Sequence, residues 1–222
     1  MTKYVHVPRK LILDQSLGNK RALVYAALGF SSWPEISVDS FVSFTGYSGN
    51  RNAGKAKSII TDLVYSLKYG GYFSDESGKV LFTPSDHGYG IVYYSDYQAI
   101  LNMKKNHCNT KPVNQANMIL LLSHIRCNMR SIAGYPEYYS DLIQRIAENT
   151  GISSRSIMNS LENLESLGII HSEGLPRYQD DLGHWHTNVR IFVNMRKPDN
   201  DTYDWQRDLL RGKRIILDSQ HN

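Results

Sequence analysis

The sequence predicts an α+β protein, mainly helical, in which two successive units of helices each end in a β-hairpin and a C-terminal tail follows. Three observations carry this. Ser140 to Leu167 reads as helix, glycine turn, helix, with the turn at Gly151-Ile152-Ser153. Ala56, Ile59, Ile60, Leu63 and Leu67 recur at the helical period between Ala53 and Tyr69. After each of these long helices a glycine, Gly71 or Gly168, stops the period and strand-like residues begin. The units are expected at 1–86 and 87–198, and the tail at 199–222.

Along the chain, Tyr4–Val7 is strand-like and leads into the basic pair Arg9-Lys10. Asn19 to Phe30 reads as a helix with Leu23, Ala27 and Phe30 along one side, broken by Trp33-Pro34. Val38 to Thr45 is a short helix closed by Gly46, and Ala53 to Tyr69 is the third. Tyr72-Phe73-Ser74 and Val80–Thr83 bracket Asp75-Glu76-Ser77-Gly78 as a hairpin. Gly90–Tyr94 is expected as a strand, Ser95–Lys105 as a helix, and Val113–Arg130 as the long helix that opens the second unit. Next, Ser140 is the expected N-cap of a helix that Gly151 ends in the left-handed conformation, and Ser153 caps its successor. In that successor Ile157, Leu161 and Leu164 share one face. Its hairpin is Ile169–Arg177 with Thr187–Asn194. Trp205, Leu209 and Leu210 give the tail apolar surface that must dock on the chain or on a second copy.

The two halves can be laid on one another. Anchoring Gly71 on Gly168 puts Ile60 on Ile157, Val64 on Leu161 and Leu67 on Leu164, a repeat of architecture with little identity. On Ile146-Ala147, Thr150–Ile157, Leu161, Leu164 and Gly168-Ile169-Ile170, the chain resembles bacterial tandem winged-helix DNA-binding proteins. Two such domains in one short chain is similar, in architecture, to plasmid and phage replication initiators. The resemblance implies two tandem winged helix-turn-helix domains, double-stranded DNA as partner, and a bacterial, cytoplasmic setting.

Bulk properties are compatible with this. The chain has 222 residues, 41% hydrophobic, with 15 Tyr and 3 Trp, which argues for packed cores over disorder. No apolar run approaches the roughly 18 residues of a membrane span, and the N-terminus has no signal-peptide apolar core. Two cysteines, Cys108 and Cys127, suit a reducing cytosol better than a disulfide framework. A net charge of +4 allows nucleic acid without demanding it.

Charge placement says more. Ser40 to Thr61 holds no acidic residue and contains Arg51, Lys55 and Lys57 at the start of the third helix, where cations and helix N-terminus would meet phosphates. Ser58 lies on the same turn, and Asn50 and Asn52 have the geometry to read adenine edges. Asn149 to Leu161 is also acid-free, and Ser154, Arg155, Ser156 and Asn159 form its outward face, with Arg155 suited to guanine. Arg177 adds a cation in the second hairpin. That hairpin also carries Asp180-Asp181, and the first has Asp75-Glu76 at its tip, which phosphate would repel. The plain alternative for each stretch is a solvated polar face.

Catalytic readings find little. The sequence has no Walker A loop, dinucleotide-binding glycine fingerprint or nucleophile elbow, so no enzyme, cofactor or small-molecule ligand is expected. His184 and His186 near Asp180-Asp181, and His107-Cys108 with His124 and Cys127, are weak metal candidates because their spacing is poor for a shared ion. Tyr93-Tyr94 and Tyr138-Tyr139 read as core. The functions expected are sequence-specific duplex binding in replication initiation of a mobile element, or the same binding in a transcriptional repressor. A protein-interaction scaffold ranks last, since such scaffolds present acidic or apolar faces. A homodimer on DNA is expected, because helix-turn-helix proteins commonly pair over half-sites.

Overall fold

The computed structural model describes residues 4–46, 53–76, 79–85, 88–103, 113–129, 138–174, 178–179, 182, 185–186 and 188–193. Strand β1 (Tyr4–Pro8) turns Val5 and Val7 inward, and α1 (Arg9–Leu13) follows with Leu11 and Ile12 buried. A single 3-10 turn, Gln15–Leu17, leads to α2 (Arg21–Phe30). Helix α3 (Val38–Phe44) is capped by Ser37, whose side chain accepts the Ser40 N–H, and α4 (Ala53–Tyr69) has the bounds its period predicts. Strands β2 (Phe73–Glu76) and β3 (Lys79–Phe82) form the expected hairpin. Then come β4 (Tyr89–Tyr93), α5 (Tyr94–Asn102) and α6 (Gln115–Cys127).

The second half continues with β5 (Tyr138–Leu142), α7 (Ile143–Thr150) and α8 (Ser154–Ser166). Strands β6 (Ile170–Gly174), β7 (Tyr178–Gln179), β8 (Trp185–His186) and β9 (Asn188–Val193) end the described chain. The three-stranded sheet runs β5-β9-β6, antiparallel throughout. The molecule is thus α+β, with many helices and small sheets.

Two helices fill the centre. Every residue of α2 except Gly29 is buried, as is α6 from Ala116 to Ile125, and the two pack on each other. A helix that is apolar nearly all round can only be satisfied inside. One contiguous core runs from Val5 through α2 and α6 to Val193. Around that pair the packing is similar: α4 lies on α2 with α3 against α4, and α8 lies on α6 with α7 against α8.

The ribbon β1–β4 ties the halves together. Its register pairs Tyr4 with Tyr93 and Pro8 with Tyr89, so it joins residues on either side of position 86. Two glycines set its distance from the helices. A Cβ on Gly29 of α2 would lie 2.3 Å from Val5 Cγ2, and one on Gly90 of β4 would lie 2.0 Å from the Ser123 carbonyl oxygen of α6. The second contact is with backbone, which cannot step aside, so only glycine lets β4 rest on α6.

The repeat extends to the backbone hydrogen bonds that end α4 and α8. Gly71 and Gly168 both sit at positive φ, 72° and 66°. The Tyr72 N–H reaches the Leu67 carbonyl at 3.0 Å, and the Ile169 N–H the Leu164 carbonyl at 3.1 Å, the six-to-one bond of a Schellman cap. The aligned pairs Ile60/Ile157, Val64/Leu161 and Leu67/Leu164 are all buried.

One local expectation is corrected. Ser140 does not cap a helix: residues 138–142 form β5, and α7 starts at Ile143 with Leu142 as its cap and no side-chain bond. Tyr138 and Tyr139 are buried and paired with Phe192 and Ile191, and that pairing outweighs the local capping preference of Ser140.

Candidate nucleic-acid interface

Helix α8 buries Ile157, Ser160, Leu161, Asn163 and Leu164 and leaves its opposite face to solvent. Ser153 caps it as expected, accepting the Ser156 N–H at 3.3 Å, and Gly151 ends α7 at φ 75°. Ser154 and Arg155 are exposed on the first turn, and Asn159 is half-buried one turn on. Arg155 has no ion-pair partner among the described residues. Ser156 differs from expectation: its hydroxyl is hydrogen-bonded to the Ser153 hydroxyl at 2.9 Å, so it serves the cap. The acid-free run also ends early on this face, because the exposed Glu162 follows Asn159 at +3.

The face of α4 is arranged differently. Lys55, Lys57 and Ser58 are exposed, but Lys57 Nζ lies 2.9 Å from Asp39 Oδ1 of α3. Ser58 Oγ donates to Asp62 Oδ2 at 3.2 Å. The acid-free run in sequence is therefore bordered in space by two carboxylates, while Lys55 has no ion-pair partner among the described residues. Ile59, Tyr65 and Tyr69 are exposed on the same helix. Asn50, Arg51, Asn52 and Arg177 lie outside the described residues. So do the tail with Trp205, Leu209 and Leu210, and His107, Cys108, Asp180, Asp181 and His184. Of His186 only the backbone, in β8, is described.

The turn between α7 and α8 is held from the other half of the chain, which sequence reasoning missed. Arg21, at the start of α2, is completely buried. Its Nε donates to the Leu11 carbonyl at 2.8 Å, Nη1 to Gly18 at 2.8 Å, and Nη2 to Ile12 at 2.5 Å and Thr150 at 2.9 Å. A planar fork of five N–H donors suits such a set of acceptors, several of them at the negative ends of α1 and α7. Burial lowers the Arg21 pKa to about 10, opposed by Asp14 and Tyr72, so it stays cationic at neutral pH. Beside it the Gln15 amide donates to the Glu148 carbonyl. No sequence signal marks this, since the acceptors come from separated segments.

Of the metal candidates, His124 and Cys127 fall among the described side chains, His124 in the core and Cys127 half-buried. His124 is 2% exposed, with Nε2 3.0 Å from the Tyr139 hydroxyl. Burial pushes its pKa down to about 4, with Asp141 opposing and Arg9 adding to the shift. Among the described residues no three potential ligands come together. Tyr94 packs edge-on against Phe30 at 5.3 Å, and Tyr138 and Tyr139 are buried. A cleft of about 530 Å³ opens beside β1, lined among others by Tyr4, His6, Trp33, Glu35, Lys79 and Phe82. It too draws on separated segments and leaves no trace in the sequence pattern. No helix among the described residues is long and apolar enough to cross a membrane. Compared with known proteins, the chain matches no family model, no curated protein and no solved structure.

Proposed function

We propose that this protein binds double-stranded DNA sequence-specifically through two winged helix-turn-helix units, in replication initiation of a plasmid, phage or other mobile element. The observation that carries the reading is the exposed first turn of α8. It presents Arg155 without an acidic partner among the described residues, and Asn159 on the same strip, while the opposite face is buried. Such a helix can enter a major groove N-terminus first, with Arg155 meeting guanine and Asn159 adenine. The backbone repeat between α4 and α8 supports a second, related unit, with Lys55 as its phosphate contact. The same binding would serve a transcriptional repressor. Contact with protein rather than DNA is favoured at α4 alone, where Ile59, Tyr65 and Tyr69 are exposed and Lys57 is paired. That suits the pairing of two copies on DNA.

Sequencing the DNA that the purified protein retains gives the cognate site, and an origin array as against a site beside its own gene separates initiator from repressor. Fluorescence anisotropy on cognate and random duplexes across a salt series then tests the residues. Arg155→Ala is expected to cost on the order of 1–3 kcal/mol on the cognate site only. Lys55→Ala should weaken both duplexes alike and lower the log–log salt slope by about 1. Absence of duplex binding by the wild type at low salt would sink the proposal.

A further inference from the structure

The outward face of the β1–β4 ribbon is occupied by aromatic rings that the duplex reading does not use. Val5, Val7, Gly90 and Val92 point inward, so Tyr4, His6, Tyr89, Ile91 and Tyr93 take the other side. The rings form a row. Tyr93 meets Tyr4 edge-on at 6.4 Å, Tyr4 lies 5.2 Å from His6, and His6 stacks on Tyr89 at 3.9 Å with their planes 21° apart. Tyr4 is 48% and Tyr89 42% exposed. Cross-strand pairing accounts for the Tyr4–Tyr93 contact, but it leaves ring surface open to solvent at Tyr4, His6 and Tyr89.

Charge narrows the occupant. Neither strand contains a carboxylate, and β1 runs directly into Arg9 and Lys10, both exposed. The Arg9 N–H bonds the Gly88 carbonyl at 2.9 Å, which fixes the start of this basic pair at the Tyr89 end of the row. At the other end the Arg126 guanidinium lies over the Tyr93 ring at 5.1 Å, but its side chain is buried and ion-paired with Asp96 at 2.7 Å, so it holds that ring in place and leaves its charge neutralised. Flat rings with the exposed Arg9 at one end, no carboxylate on either strand, and Lys79 and Glu35 together in the cleft that Tyr4 and His6 line, match unpaired bases on a phosphate backbone. A duplex hides its base faces; a single strand offers them, and stacking accepts any base. A five-residue strand spans roughly 17 Å, room for a few bases.

We infer that the aromatic face of the β1–β4 ribbon, Tyr4, His6 and Tyr89 above all, is a stacking site for single-stranded DNA, separate from the duplex-reading helices. The site stands on its own residues and does not require that α8 reads duplex. In a chain that does both, it would hold a strand released where the duplex opens.

The test uses the full chain, a fluorescent 20-nucleotide oligo-dT and the cognate duplex. The Tyr4→Leu/Tyr89→Leu variant keeps apolar bulk and removes two rings. It is expected to bind oligo-dT about tenfold or more weakly, each stacked ring being worth about fivefold to a hundredfold, with duplex affinity unchanged. Tyr4→Phe/Tyr89→Phe keeps the rings and should bind as wild type. Photocrosslinking of a 5-iodouracil oligonucleotide to the wild type should modify residues 4–6 or 89–93, a readout that needs no variant to fold. Loss of duplex binding with oligo-dT binding and its ring dependence intact would remove the duplex proposal and leave this one standing. The inference is overturned if the wild type binds no oligo-dT at low salt, if the leucine variant binds it unchanged, or if crosslinks fall only on α4 or α8. It is also overturned if the leucine change splits a dimer and leaves oligo-dT binding intact, which would make the face a contact between copies.

Discussion

Where α8 carries Ser154, Arg155 and Asn159, the register that joins Gly71 to Gly168 gives α4 Lys57, Ser58 and Asp62. In the second half the cation stands without an acidic partner among the described residues. In the first it has moved back one residue, where Asp39 holds it, and the positions matching Arg155 and Asn159 form a hydrogen bond from Ser58 to Asp62. Beneath these faces the buried pairs Ile60/Ile157, Val64/Leu161 and Leu67/Leu164 and the two glycine caps keep one plan. Burial and backbone hydrogen bonding constrain the inner face of each helix, and the outer face is free to diverge. A shared plan therefore does not imply a shared partner. Under the duplex binding proposed above, the comparison favours α8 as the reading helix and α4 as a weaker phosphate contact with protein-facing surface.

The largest expected effect comes from breaking the link between the halves. Arg21→Met leaves the carbonyls of Leu11, Ile12, Gly18 and Thr150 without that donor in a dry site. With roughly 1–3 kcal/mol for each buried acceptor stranded and partial relaxation, the loss should be on the order of 3–5 kcal/mol in urea melts. Arg21→Lys should recover only part of it, because an ammonium cannot match the fork. A loss below about 1 kcal/mol would mean that the guanidinium does not couple the halves.

Acid should then separate the two halves. His124 packs on Tyr139 of the three-stranded sheet, and its folded pKa of about 4 lies below the ordinary value of 6.5. The folded state therefore prefers the neutral ring. Its contribution is complete above pH 6.5, falls as pH drops and is spent near pH 4, about 3 kcal/mol in all. Hydrogen exchange across that window should show the second half loosening first, and His124→Gln should flatten the pH dependence of stability. Equal loosening of both halves would contradict this assignment.

The smallest effect sharpens the contrast between the faces. Asp39→Asn frees Lys57 and removes a negative charge beside it, so duplex affinity should rise by roughly two- to fourfold, as befits an exposed pair. Anisotropy at low salt measures it. Unchanged affinity would take Lys57 out of the DNA-facing set.

What could be read from the sequence was local. The bounds of α4 follow from apolar residues at the helical period and a glycine pair, and the cap at Ser153 follows from three residues. What could not be read depended on distant partners. Strand β5 looks like a helix start until Tyr138 and Tyr139 meet β9. The run from Ser40 to Thr61 is free of acid as text, yet helix packing sets Asp39 against Lys57, and one helical turn sets Asp62 against Ser58. Arg21 looks like an ordinary polar residue at a helix start, because its acceptors include Thr150 in the other half. The candidate site was thus legible in its residue types and illegible in its charge balance.

The ribbon has a further consequence, for the order of events during synthesis. β1 is made before its partner β4, which lies more than eighty residues later. At ordinary translation rates the gap lasts roughly 4–18 s. Through that interval α2 and α4 can coil and the first hairpin can close, but Val5 and Val7 have no strand beside them. The surface that α2 offers to α6 also stays bare until α6 is made. The packing of the first half is therefore complete only when β4 lands on β1 and Gly90 lets the pair settle on α6.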